Sequence, residues 1–218
     1  MRSILAPVVL LSSALLARAG GIAQKDFSGI GNIFVLNSSD WPSATPDQKV
    51  GCLDDNGKFI NPDDEEDCGV FTRLANYPYT LSTKKGNCTF DDATQEKNTD
   101  SWYGKSDNAW NCNGTHKAVI YDELYTIDGF PYVFLCWGDI ACYYDVKKVP
   151  GKNETLSLWQ FRWGSHQMGI TPGHMQAQLL WNKIGDLPKR EDMENIPSPR
   201  ITLEDGLQIP LEGQQLSA

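Results

Sequence analysis

Apolar and polar residues alternate with a period of two through most of this chain, and no stripe of period 3.6 persists for three turns. Leu156-Ser157-Leu158-Trp159-Gln160-Phe161-Arg162-Trp163 sets apolar against polar and stops at Gly164, the pattern of a half-buried strand. Leu124 to Ile127 runs into a turn at Asp128-Gly129, after a shorter run from Lys117 to Tyr121. Phe130 to Trp137 is dense in aromatic and β-branched residues, and Gly138-Asp139 divides it from Cys142 to Val146. Ala177 to Trp181 is apolar and is closed by Gly185, while Val70 to Leu74 and Tyr79 to Ser82 add two more runs. Asn56-Gly57 between Cys52-Leu53 and Phe59-Ile60 is a hairpin signal, because both residues tolerate positive φ. About nine to eleven short strands with frequent turns predict an all-β fold, an antiparallel β-sandwich or barrel.

The pattern changes at both ends. Ile4 to Leu16 is an apolar run of 13 residues after Met1-Arg2-Ser3, followed by Ala17-Arg18-Ala19. This is the layout of a secretory signal peptide cut after Ala19, and it is shorter than the roughly 20 apolar residues of a membrane span. All 23 aromatic residues lie between Phe27 and Trp181, and all six cysteines fall inside that span. From Leu187 to Ala218 there is no aromatic and no cysteine, but four prolines. Such a segment buries too little apolar surface to offset its ordering entropy. The expected organisation is therefore a signal peptide at 1–19, one β domain at 25–186, and a flexible acidic tail at 187–218. Lys189-Arg190 opens that tail and offers a processing protease a dibasic site.

Cysteines and sequons agree with secretion. Cys52, Cys68, Cys88, Cys112, Cys136 and Cys142 are an even set without a Cys-x-x-Cys, which suits disulfides better than zinc. Fifteen pairings are possible. Neighbour-to-neighbour pairing is expected, since each pair would bracket a local turn: Cys52–Cys68, Cys88–Cys112 and Cys136–Cys142. Asn37, Asn87, Asn113 and Asn153 each head an Asn-x-Ser/Thr sequon, the acceptor of N-linked glycans in a secretory compartment.

Candidate chemistry is sparse. The formal charge is -9, and removal of Arg2 and Arg18 leaves 17 basic against 28 acidic residues, or -11. That acidity disfavours nucleic acid, which needs a basic face. Gly164-Ser165-His166-Gln167-Met168-Gly169 lacks the spacing of a serine-hydrolase elbow. No histidine precedes His116, which excludes oxidative copper enzymes that use a mature N-terminal histidine. Asp54 and Glu65 have the separation of the outer ligands of a helix–loop–helix calcium site. Gly57 and Lys58 then fall at the wrong positions, so a solvated acidic hairpin is expected. His166 and His174 stand near Met168 and Met175, a thioether–imidazole set suited to copper(I) but equally to an ordinary core rim. His116, Glu123 and Arg162 would make a nuclease set only if folding joined them, and the carboxylates are too numerous to single out a glycosidase pair. No catalytic residue, cofactor or metal site is expected. The remaining signal is aromatic: of seven tryptophans, Trp137, Trp159 and Trp181 sit in apolar runs and read as core. Trp102 and Tyr103 lie in a polar loop and are the candidate binding residues.

In its layout of leader, six-cysteine domain, sequons and acidic tail with Lys189-Arg190, the chain resembles the small cysteine-containing secreted proteins of filamentous fungi, effector-like proteins among them. The resemblance implies action at or beyond the cell surface. The expected function is that of a secreted, glycosylated, non-catalytic interaction protein directed at a host, a cell wall or another extracellular target. The alternatives are a glycan-binding or glycan-cleaving protein and, third, a secreted nuclease. The expected partner is an extracellular protein or glycan, with no nucleic acid and no membrane span.

Overall fold

The structure is a computed structural model. It describes residues 27–38, 40–73, 80–117, 124–127, 129–137 and 142–187, with the strands Arg200–Thr202 and Gln208–Pro210 beyond them. The expected signal peptide at 1–19, the Lys189-Arg190 junction, Glu123 and Tyr77-Pro78-Tyr79 lie outside the described residues. Among the described residues there is no α-helix, only strands and three short 3-10 segments, and no helix is long and apolar enough to cross a membrane.

The fold is all-β and antiparallel, as the period of two predicts. Thirteen strands form one curled sheet. The first, β1 (Gly29–Leu36), pairs along seven positions with the last, β13 (Met175–Gly185), from Ile30↔Gly185 to Leu36↔Gln178. Everything else hangs on the free edges of this ribbon. On the far edge of β1, its C-terminal half pairs with β2 (Lys49–Leu53), which continues to β3 (Phe59–Ile60). Its N-terminal half pairs with β4 (Phe71–Arg73), followed by β5 (Leu81–Thr83), β6 (Gly86–Thr89) and β7 (Asn111–Asn113). On the far side of β13 lie β9 (Phe134–Trp137), which carries β8 (Leu124–Thr126), and β10 (Tyr144–Val146). Strand β11 (Thr155–Leu156) pairs with β3 and β12 (Leu158–Gln160) with β10. The sheet curls into a half-barrel, and a backbone bond from Trp110 N–H to Leu158 O (2.8 Å) reaches across its open side. Strands β14 (Arg200–Thr202) and β15 (Gln208–Pro210) pair only with each other, in the segment read as a tail.

Alternation along β1 and β13 separates two cores. Ile33, Val35, Ala177, Leu179 and Trp181 face the larger one inside the curl. There Phe90 packs against Trp110, Trp137 and Tyr144 with ring centroids 4.7, 5.4 and 6.3 Å away. Phe34, Leu36 and Leu180 face a smaller cluster with Phe134, Cys52 and Cys68 on the other side. Both faces of the ribbon are thus covered, which explains the near-continuous apolar runs Ile33–Leu36 and Leu179–Trp181.

The six cysteines form Cys52–Cys68, Cys88–Cys112 and Cys136–Cys142. Each joins segments adjacent in the sheet or its flanking turns; Cys88 and Cys112 are direct cross-strand partners. The Asn56-Gly57 hairpin forms between β2 and β3. Asp54 closes it, its carboxylate accepting from Asn56 N–H (2.9 Å) and Lys58 N–H (2.8 Å). That carboxylate belongs to the turn. The run Leu156–Trp163 is shorter as strand than its alternation suggests. It breaks at Ser157 and ends at Gln160, and Leu158, Trp159 and Gln160 are all buried. Polar Gln160 lies inside because loops from 98–107 and 161–174 cover that end of the sheet.

Gly31 tests the ribbon. A Cβ there would stand 2.7 Å from the Trp181 ring and from the Asn182 carbonyl oxygen. Gly31→Ala should lower the urea midpoint by the equivalent of about 1–3 kcal/mol, the usual cost of overpacking a core. Gly169→Ala, where a Cβ meets nothing within 4 Å, should stay within about 0.5 kcal/mol of the parent.

Candidate functional site

Trp102 and Tyr103 sit at the tip of a loop whose stem is a bridge between Lys97 and Asn108. Folding lays this loop against a second one, which leaves β12 and turns back at the Gly164↔Gln167 bridge. Trp102 is 56 % and Trp163 57 % exposed, whereas Trp110, Trp159 and Trp181 are buried. The Trp102 ring lies 5.1 Å from His166, and the Lys105 ammonium sits 5.5 Å from its centroid. The Tyr103 ring lies over Gly164, where a Cβ would come 2.5 Å from its Cζ. Its hydroxyl accepts from His166 N–H (3.0 Å) and stands 3.3 Å from Ser165 Oγ. The result is an aromatic cluster of Trp102, Tyr103 and His166 with polar atoms between the rings, and the exposed Trp163 directly precedes Gly164 in the second loop.

These loops are fixed from beneath by amide and carboxylate groups. Gln167 is buried, and its Oε1 accepts from Trp102 N–H (2.6 Å) and Ser101 Oγ–H (3.3 Å). Its Nε2 donates back to Arg162 O and Gly169 O, both at 3.2 Å. Below it Asp145, 1 % exposed on β10, accepts from Asn98 Nδ2 (2.9 Å), Thr171 Oγ1 and His174 Nδ1 (2.5 Å). The other ring nitrogen faces Asp100 Oδ2 at 3.4 Å, and the imidazole stacks on Trp159 at 6.1 Å. One buried carboxylate on β10 thus ties down two loops under the aromatic surface, one through Asn98 and the other through Thr171 and His174. Arg162 is held by Asp107 (2.8 Å) and Gln160, beside Trp137.

The stem has its own anchors. Glu96 O accepts from Trp159 Nε1 (3.0 Å). The Lys147 ammonium, aided by Ser157, holds the Glu96 carboxyl below its usual range. The Thr94 hydroxyl, its backbone N–H, Gln95 and Asn111 do the same for Asp92.

Other candidates are not brought together. His116 turns at the end of β7 while Arg162 is engaged by Asp107, and their proposed partner Glu123 lies outside the described residues. His174 points at two carboxylates, Met175 packs on the larger core and Met168 is 83 % exposed. Among the described residues no group of three or more His, Cys, Asp or Glu is disposed to hold a metal ion. Two polar cavities open elsewhere. One of about 360 Å³ lies between Asp63 and Lys152, which pair with each other, and another of about 510 Å³ lies beside Asp55 and Lys84. Neither includes the aromatic residues. Trp163, Gln167 and Asp145 carry no distinguishing mark in the sequence, and His166 and His174 stand out there only for the methionines beside them; the packing of two distant loops gives them their partners.

Removing the anchor should be costly. Asp145→Ala leaves Asn98, Thr171 and His174 without their shared acceptor, and the loss should reach roughly 3–5 kcal/mol in urea denaturation. Lys105→Ala, at the exposed rim, should change it by less than about 0.5 kcal/mol. The pH dependence follows from the lowered carboxyls. Their contribution is complete above the ordinary values of 4.5 for Glu96 and 3.8 for Asp92 and is lost as pH falls through the lower folded values. Melting temperature should therefore fall on acidification below about pH 4.5, and Glu96→Gln should make that fall shallower. Comparison of the chain with protein-family models, with curated proteins and with solved structures yields no match.

Proposed function

We propose that this is a secreted, glycosylated extracellular binding protein without catalytic activity, and that the surface around Trp102 is its contact face. The observation that carries the proposal is the pair of half-exposed tryptophans, Trp102 and Trp163, on loops fixed from below by Gln167 and Asp145. A large apolar ring left in water has no reason to be held so firmly for stability alone. Held in place, it loses little further entropy when a partner covers it. Disulfides among all six cysteines fit an oxidising compartment, and the resemblance to fungal effector-like proteins supports a host or cell-wall target.

Of the two partner classes, extracellular protein and glycan, the site favours a glycan. Sugar rings present an apolar C–H face and a hydroxyl rim. The Trp102 ring offers the flat surface, and the Asp100 carboxylate, Ser165 hydroxyl and His166 imidazole of the same two loops offer hydrogen bonds. Cleavage is the weaker reading. The buried carboxylate Asp145 is engaged three times over, and Asp107 is occupied by Arg162.

The secreted protein should be retained on at least one insoluble wall polysaccharide among chitin, cellulose and β-1,3-glucan, without releasing soluble sugar. Trp102→Ala should weaken retention about tenfold, equivalent to ~1.4 kcal/mol, at an unchanged melting temperature, and Trp163→Ala should act in the same direction. Release of reducing ends would overturn the non-catalytic reading. Retention unaffected by both substitutions would overturn the choice of surface, and no retention on any polysaccharide would move the partner to a protein.

A further inference from the structure

We propose that Asn113 and Asn153 carry N-linked oligosaccharides and that Asn87 does not, although all three head sequons. The inference rests on passage through a eukaryotic secretory pathway, as in the proposed function. In the transfer, the asparagine amide nitrogen bonds to the anomeric carbon of an oligosaccharide borne on a polyprenyl pyrophosphate. The anomeric C–O bond breaks, the lipid pyrophosphate departs, and the amide loses one of its two protons.

The register of β6 and β7 sets Asn87 directly opposite Asn113. Side chains at such a pair start about 5 Å apart on the same face, less than the width of one pyranose ring with its hydroxyls. Two glycans rooted there would collide at their first sugar, so a folded molecule accommodates one. The local contacts choose which. Both asparagines are half-buried, but the Nδ2 of Asn87, the atom that would be modified, donates to His116 O (3.1 Å). The third residue of its sequon, Thr89, is 0 % exposed, and its hydroxyl accepts from Asp91 N–H (2.8 Å). At Asn113 the use of the amide is reversed. Thr115 N–H (3.0 Å) and Thr115 Oγ1–H (3.1 Å) both donate to its side-chain oxygen, and Thr115 itself is exposed. The turn makes no demand on the amide nitrogen.

Asn153 stands apart. It is exposed at φ 61° in the turn spanning Gly151 and Glu154, whose ends are joined by Glu154 N–H to Gly151 O (3.0 Å). Asparagine tolerates this left-handed conformation better than most residues. Thr155 of the same sequon is exposed as well. Asn153 lines the cavity beside Asp63 and Lys152, and because it is exposed a glycan there displaces no buried contact.

The test uses the full chain secreted by a eukaryotic host, with enzymatic deglycosylation in 18O-labelled water followed by peptide mapping. Conversion to labelled aspartate is expected at Asn113 and Asn153, with Asn87 recovered as asparagine. In parallel, Thr115→Ala should lower the mass of the secreted protein by one glycan, and Asn87→Gln should leave it unchanged. Label at Asn87 to the same extent as at Asn113, or loss of a glycan in the Asn87→Gln protein, would overturn the assignment. Protein found in the medium without label at Asn113 or Asn153 would overturn it while leaving secretion intact. Failure of the chain to reach the medium would overturn secretion and the assignment together.

Discussion

The pairing of β1 with β13 is the constraint on which the rest of the molecule depends. These two strands come from opposite ends of the domain, and each offers its second edge to two further strands. A shift of one residue between them would exchange the two cores, sending Leu179 and Trp181 to the side of Leu180. The glycine at Gly31, the T-shaped contact of Phe27 with Trp181 at 5.2 Å and the Arg73 guanidinium 4.5 Å from the Phe27 ring all serve that register. The disulfides do not. They close intervals of 16, 24 and 6 residues and leave the two end strands joined by hydrogen bonds and packing alone.

A second, smaller constraint governs the aromatic surface. Irregular loops carry many backbone groups that need partners, and here Gln167 satisfies three of them from within while Asp145 holds side chains of the same loops. Asp145 is well placed because β10 is held on both sides, by β12 and β13, before any loop reaches it. The surface thus inherits its shape from the sheet, as binding loops on rigid scaffolds commonly do.

Much of the sheet was legible because its strands are local: the Asn56-Gly57 hairpin, the run ending at Val146 and the apolar stretch Ala177–Trp181 announce themselves by period and punctuation. Strand β1 was not. Its glycines and Asn32 interrupt the alternation, and the reason lies in β13, where the Trp181 ring occupies the space a side chain at Gly31 would take. Strands β6 and β7 were missed for a similar reason, since their short polar sequences are held by a disulfide and neighbouring strands. Phe130–Phe134 looked like strand throughout, yet Pro131 cannot donate to a ladder and β9 begins only at Phe134. At the candidate site Trp102 and Tyr103 stood out because aromatic rings in a polar loop are unusual. Trp163 did not, because it closes an alternating run whose last residues leave the sheet to meet Tyr103.

The separation of β1 from β13 has a consequence for synthesis. A ribosome adding about 5–20 residues per second produces β1 on the order of ten seconds before β13 exists. During that interval Ile33-Phe34-Val35-Leu36 has β2 on one edge and nothing on the other, while the hairpins β2–β3 and β6–β7 already have their cysteine partners in hand. The covalent links can therefore form in an unfinished molecule, but its central ribbon cannot. One edge of β1 stays open until β13 is made.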